Sequence, residues 1–269
     1  MTASLDIRPL TNALGAEVRG VDLREALDDA TRDLIEQTWV EHKVLFFPDQ
    51  LIDREQHKRF ARSFGEIWQH PFLKDVVGDP DFVELYSGGD TNSRYLASNW
   101  HTDVTFAECP PMGSVLHALQ VPDAGGDTMW LDLEAAYAGL SPAMQDIAAS
   151  LVAIHSAPRR FFVPTDTSDE VITNKHPVLR THPVSGRRCL FVNPGFTRAI
   201  DGFSPQESDA LLTLFHRHCQ RPEYMVRYHW RCDTVAMWDN RCTQHCVVTD
   251  NRDALRKMER ITLAGERPV

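Results

Sequence analysis

The chain has no apolar run approaching the ~20 residues that a bilayer-spanning helix needs. It also lacks any basic excess. Lys and Arg number 28 against 38 Asp and Glu, a formal net charge of −10, so no positive field would draw nucleic acid or an anionic membrane. That balance leaves room for a local cationic pocket holding a small anion. The opening stretch, MTASLDIRPL, has neither the basic nor the apolar part of a secretory signal, and a cytoplasmic protein is expected. Repeats, low-complexity tracts and Gly/Ser linkers are missing, which predicts one domain over 1–269. Cysteine is sparse: six thiols scattered at 109, 189, 219, 232, 242 and 246 suit a reducing compartment rather than a disulfide framework. Cys242 and Cys246 bracket His245 and raise a zinc cluster, but no second pair at finger spacing accompanies them.

What remains is an ordinary globular composition, 42% apolar and 25% charged, in a chain long enough to bury a sizeable core. The first 25 residues read as short strands turning at Gly15. Helical spacing of Leu34, Ile35, Trp39 and His42 predicts a helix over 28–42. VLFF (44–47) is a short apolar strand. Asp53 with Gln56 forms a capping box opening a helix that ends near Gly65. Ser141-Pro142 and Ser204-Pro205-Gln206-Glu207 open two more. Residues 176–193 read as a hairpin turning at Ser185-Gly186, 224–240 as alternating strand broken at Asp233 and at Asp239-Asn240, and 256–265 as a last strand. Residues 156–175 have no period, as expected of a lid or binding loop. Many strands, few helices and no βαβ alternation point to a mainly β fold with flanking helices, a two-sheet jelly roll.

Within this pattern NWHTDVTF (99–106) places a histidine and an aspartate two apart. On a strand His101 and Asp103 would project together and Thr102 away. They are two parts of a 2-His-1-carboxylate metal site, which leaves one face of an octahedral ion open and suits Fe(II). Alone, the pair reads equally as a hydrogen-bonded His–Asp couple. His245, in WDNRCTQHCVVTD (238–250), offers the third ligand. Arg256, Met258, Arg260 and Thr262 share one face of the final strand, with the two arginine stems ~13 Å apart. Either they read two anions beside a metal, or the strand faces solvent.

His101-Thr102-Asp103, GGDTMW (125–130), WDNRCTQH (238–245) and the Arg256/Arg260 pair together resemble the taurine dioxygenase (TauD/TfdA) family of Fe(II)/2-oxoglutarate-dependent dioxygenases. The resemblance runs from LGAEVRGVDL (14–23) to RITLAGERP (260–268). It implies a cupin-like double-stranded β-helix and, as iron ligands, His101, Asp103 and His245. It implies that Arg256 and Thr128 bind the distal carboxylate of 2-oxoglutarate, a task for which a planar guanidinium is suited. The implied reaction consumes O2, turns 2-oxoglutarate into succinate and CO2, and hydroxylates a small anionic organic substrate. A homodimer or homotetramer is implied as well.

For the substrate, the resemblance assigns Arg260 and His70 (in WQHPF, 68–72) to the anion, with Asn99 and Phe196 (in NPGF, 193–196) nearby. The chain departs from the taurine enzyme at Leu73, where that enzyme has tyrosine, and at Leu96-Ala97-Ser98, where it has polar residues near the substrate amine. The expected substrate is a sulfonate or alkyl sulfate ester with an apolar tail, giving an aldehyde plus sulfite or sulfate. A carboxylate such as an aryloxyalkanoate is the alternative within the family; a zinc hydrolase or a non-catalytic jelly-roll binding protein is the alternative outside it. Arg159, Arg160 and Phe161, in the 156–175 loop, are candidates for specificity.

Overall fold

The computed structural model describes residues 5–73, 78–88, 98–163, 165–251 and 253–269. Its strands in chain order are β1 (Asp6–Pro9), β2 (Ala16–Arg19), β3 (Val44–Phe47), β4 (Val83–Ser87), β5 (Gly113–Gln120), β6 (Thr128–Asp132), β7 (Val152–Pro158) and β8 (Val171–Pro177). They continue as β9 (Leu179–Thr181), β10 (Arg188–Leu190), β11 (Thr197–Ile200), β12 (Met225–Tyr228), β13 (Val235–Asp239), β14 (Thr243–Val247) and β15 (Arg256–Leu263). The helices are α1 (Asp29–His42), α2 (Arg54–Arg62), α3 (Leu133–Ala138), α4 (Pro142–Ser150) and α5 (Pro205–Cys219).

The helix starts follow the capping chemistry. Asp28 accepts the Thr31 amide, and Asp53/Gln56 and Ser204/Glu207 form reciprocal capping boxes, each cap contributing about 1 kcal/mol. Helix α1 stops where Lys43 turns left-handed, with φ 64°. Two expectations shift. Helix α2 ends at Arg62 rather than near Gly65. Helix α3, which follows Asp132 as its cap, has too few turns to show a period and was not anticipated.

A seven-stranded sheet, β1-β2-β3-β13-β5-β15-β4, faces a three-stranded one, β12-β6-β14. Strands β11-β7-β8 form another three-stranded sheet and β10-β9 a two-stranded one. This is a mainly β jelly roll with flanking helices. The two-residue period of its strands sorts side chains into two layers. Leu45, Phe47, Val115, Val235, Met237 and Ile261 pack under Ile35, Trp39 and Phe60 of α1 and α2. Their neighbours Val44, Phe46, Leu116, Ala236, Trp238 and Met258 point the other way, onto Trp130, Val226 and Trp230 of the smaller sheet. Strand β3 is therefore apolar throughout because both its faces are covered. The same parity sends Glu259 outward to Arg54 of α2 and keeps Met258 inside.

The segment 156–175 is less irregular than its sequence suggests. Strand β7 reaches Pro158 and β8 starts at Val171, paired antiparallel from Val152↔Pro177 to Pro158↔Val171. Only 159–170 connects them, opening with a 3-10 turn at Arg159–Phe161. Strand β8 lies at the edge of its sheet and exposes Val171, Thr173 and Lys175, which is why no apolar alternation marks it. Leu34, one of the periodic residues of α1, is 37% exposed and lies outside the core.

Several histidines are buried. Burial pushes His57 and His155 down to about 3, whereas in an unfolded chain both titrate near ~6.5. Above that pH neither state holds the proton. Between ~6.5 and the folded value only the unfolded state does, so stability falls as pH falls. Each such histidine should cost about 1 kcal/mol between pH 7 and 5.5. Urea unfolding at both pH values tests this: His57→Gln should lose about 1 kcal/mol less than the wild type on acidification, and an equal loss would refute the assignment.

Candidate active site

One cavity of about 1050 Å³ opens between the two sheets, lined by His70, His101, Asp103, Thr128, Phe196, His245, Arg256 and Arg260. Strands β6 and β14 supply Thr128, Trp130, His245 and Val247 from one side; β15 supplies Arg256 and Arg260 from the other. The even-numbered face of β15 is thus the inner one.

His101 and Asp103 do converge, but not on a strand. His101 makes a single bridge to His245, and the chain then turns. The turn is forced at Val104, whose φ of 53° is rare for a β-branched residue. Thr102 points away from the pair and donates to the Thr243 carbonyl at 2.8 Å.

His101 Nε2 lies 3.7 Å from one Asp103 oxygen and His245 Nε2 4.0 Å from the other. One donor atom from each of the three lies within 4.8 Å of the other two. Ligands at right angles around an ion ~2.1 Å away sit ~3 Å apart, so small side-chain adjustments close the set on a metal. The tautomer agrees. His101 Nδ1–H donates to the Asn99 carbonyl at 2.8 Å, leaving the Nε2 lone pair aimed at the centre. Burial keeps both imidazoles neutral, lowering His101 and pushing His245 well below its ordinary range, with the neighbouring imidazole adding to the effect on His245. The His245 ring is held by the indoles of Trp238 and Trp130, at 4.9 and 6.4 Å between ring centroids. Burial opposes ionisation of Asp103, but the Arg260 guanidinium outweighs it and holds the carboxyl below the usual carboxylate range. Arg260 Nη1 donates to both oxygens, at 2.9 and 3.0 Å.

Beyond the triad, Arg256 Nη2 and Trp230 Nε1 both donate to the Thr128 hydroxyl oxygen, at 3.4 and 2.9 Å. With its lone pairs used, the Thr128 proton is free to reach an acceptor in the cavity. Trp230 has no counterpart in the sequence reading; only its fully buried position reveals it. His70 is 5% exposed. Its Nδ1 accepts the Phe72 amide at 3.2 Å, and burial, aided by Arg260, pushes it down to about 3. A neutral ring accepting at Nδ1 carries its proton on Nε2, and that atom has no hydrogen-bond partner among the described residues. Phe196 packs edge-on to His101 at 6.1 Å. Asn99, by contrast, is exposed, does not line the cavity, and acts on His101 through its backbone. Leu73 lines the wall; Leu96 and Ala97 lie outside the described residues.

The thiols form no zinc cluster with His245. Cys242 instead falls beside His182 and Asp239, where His182 Nδ1 accepts two backbone amides and Nε2 donates to Asp239 at 2.9 Å. Both ring nitrogens are thereby used.

A jelly roll with a 2-His-1-carboxylate donor set between its sheets defines the class. The chain belongs to the TauD/TfdA dioxygenase family, matching the family described as "Taurine catabolism dioxygenase TauD, TfdA family" over residues 6–262. It is 37% identical to an alpha-ketoglutarate-dependent sulfate ester dioxygenase of Pseudomonas putida, covering 98% of this chain and 91% of that one. It is 38% identical to an alkylsulfatase of Acinetobacter baylyi, covering 98% and 86%. A taurine dioxygenase from Burkholderia xenovorans has the same fold, with a TM-score of 0.87 at 36% identity over 99% of this chain and 93% of the other.

Gly195 supplies a test of the triad's packing. A Cβ there would stand 2.7 Å from the His101 Cβ and 3.2 Å from Asn193 Oδ1. Gly195→Ala should destabilise the fold by about 1–3 kcal/mol and weaken Mn(II) binding measured by EPR titration. Unchanged binding would mean that His101 is not held where the structure puts it.

Proposed function

We propose that the protein is an Fe(II)- and 2-oxoglutarate-dependent dioxygenase that oxidises sulfate esters or sulfonates carrying an apolar tail. The observation that supports this best is the grouping of His101, Asp103 and His245 with Arg256–Thr128, Arg260 and His70 around one cavity. His101, Asp103 and His245 hold the iron. The arginine fork of Arg256 and the hydroxyl of Thr128 take the distal carboxylate of 2-oxoglutarate. The bound iron and 2-oxoglutarate supply the O2-activating chemistry, yielding succinate and CO2.

The remaining residues orient the substrate. Arg260 and the neutral His70 Nε2–H meet its anionic group, and Phe196 with the aromatic ring of Phe162 keeps water from the reacting carbon. Phe162 sits 4.5 Å from His70, centroid to centroid. It belongs to the 159–170 connection, whose Arg159 grips Asp166 at 2.6 Å and Glu170 at 3.3 Å. Arg160, Phe161 and Phe162 of that connection line the cavity and cover it as a lid. Hydroxylation of the carbon bearing the ester oxygen gives an adduct that collapses to an aldehyde and sulfate; a sulfonate gives sulfite.

The tail is apolar rather than an ammonium. Besides Asp103, the acidic residues lining the cavity among the described residues are Asp79 and Glu84. Asp79 is paired with Lys58 at 3.1 Å, and Glu84 with Arg54 and the Tyr86 hydroxyl. Neither is left to receive an amine, and an ammonium buried without acceptors costs several kcal/mol. Two relatives at similar identity are named for sulfate esters.

A panel of alkyl sulfates, taurine, other sulfonates and aryloxyalkanoates, read by succinate, sulfate and sulfite release, tests the reading. Alkyl sulfates should give the highest kcat/KM and taurine a low one. Turnover of aryloxyalkanoates alone would overturn it in favour of a carboxylate substrate. Removing the arginine fork should separate the two anion sites: Arg256→Gln should raise the KM for 2-oxoglutarate roughly 10–100-fold, and His70→Ala should raise the KM for the sulfate ester while leaving that for 2-oxoglutarate near its wild-type value.

A further inference from the structure

Asp103 lies on no strand, yet its carboxylate must be held as firmly as the two imidazoles. The side chain that meets its backbone is Asn240, which is 0% exposed. Asn240 Oδ1 accepts the Asp103 N–H at 2.7 Å, and Asn240 Nδ2 donates to the Asp103 carbonyl at 2.9 Å and to the Pro111 carbonyl at 2.9 Å. An amide side chain offers one acceptor and two donors here, and all are used. It reproduces what a neighbouring strand would provide, at a point where the chain cannot be a strand because Val104 follows at φ 53°.

Asn240 is itself anchored. Its N–H donates to the Met112 carbonyl at 2.9 Å, and the Asp239 N–H to the Lys43 carbonyl at 2.8 Å. The Asp239 carboxylate accepts the Arg241 guanidinium at 2.8 and 2.6 Å and His182 Nε2 at 2.9 Å. The Thr243 hydroxyl donates to the Asp239 carbonyl at 2.6 Å. The turn between β13 and β14 is therefore rigid before it meets the site.

We propose that Asn240 is a positioning residue for the metal site: through its amide it sets the backbone of Asp103, and through that backbone the direction of the carboxylate. Asp239, clamped by Arg241 and His182, is the base on which it stands. This rests on the reading of His101, Asp103 and His245 as metal ligands. An asparagine that merely filled the core would affect stability and nothing else. One that orients a ligand affects metal affinity beyond what its loss of stability explains, as groups that orient ligands characteristically do.

The experiment compares Co(II) affinity, followed by the visible bands of the bound ion, with thermal stability. Asn240→Ala removes the amide; Asn240→Asp keeps its shape and loses both donors. Each should weaken Co(II) binding about 10–100-fold. Leu212→Ala, a core residue of α5 that does not line the cavity, serves as the control for stability alone and should leave Co(II) affinity within about twofold. Co(II) binding of wild-type strength in both Asn240 variants, or equal weakening in Leu212→Ala, would overturn the proposal. Should neither variant fold, hydrogen exchange of the wild-type protein decides. The Asp103 amide should exchange as slowly as the core amides of β13; fast exchange refutes the clamp. His101→Ala separates the premise from the inference. If that variant binds Co(II) as the wild type does, the triad reading fails; if it does not, while the Asn240 variants bind normally, only the positioning role fails.

Discussion

Three consecutive residues are fastened to one turn and the strand that follows it, and the rest of the site depends on that seam. His101 exchanges backbone hydrogen bonds with His245 at 3.0 and 2.8 Å. The Thr102 hydroxyl holds the Thr243 carbonyl, and the Asp103 backbone is held by Asn240. Each residue uses a different kind of bond: backbone with backbone, side chain with backbone, and backbone with side chain. The seam joins parts of the chain that are remote in sequence, so neither segment can place its share of the His101–Asp103–His245 donor set without the other.

Strand parity does the comparable work on the opposite wall. In β15 the inward residues Arg256 and Arg260 line the cavity and Met258 packs into the inter-sheet core, while Glu259 turns outward to Arg54. A slip of one residue would bury Glu259 against Asp103 and send both guanidinium groups out. The register is guarded by Met258, fully buried with Trp130 and Trp238, and by seven pairings with β5. The apolar packing between the sheets is thus what fixes the position of the charges. Their own attractions only refine it, since buried ion pairs return little net stability.

Much of this was legible in the residues. The His-x-Asp pair, a distant histidine in a β-like stretch and two arginines on one strand face are compositional oddities, costly unless something charged sits among them. The helix starts were legible because capping is local chemistry. What escaped was whatever depends on distant packing. His101 and Asp103 look like alternating strand residues because Val104 and Thr105 favour β structure, and nothing local says that Val104 turns left-handed. Asn240 beside Asp239 reads as a strand break, and it is one. That its amide serves as a substitute strand for a residue far upstream is invisible without the fold. Strand β8 was hidden because its exposed face carries no apolar alternation, and Trp230 because an indole gives no sign of which hydroxyl it will meet.

Charge balance draws these features together. The histidines of the site are neutral, held so by burial, so around the donor set Asp103 faces Arg256 and Arg260, and Arg160 adds a further cation to the cavity lining. That excess of guanidinium favours anionic ligands, 2-oxoglutarate among them, over a group bearing a positive charge. An amine in this cavity would need a carboxylate left free to meet it. Among the described residues, the two other acids lining the cavity, Asp79 and Glu84, are already committed to Lys58 and Arg54. On the reading proposed above, discrimination against a substrate bearing an amine is set by ion pairs at the cavity's edge. Releasing one of those acids, by replacing Lys58 or Arg54, is the change that would move the protein towards substrates bearing an amine.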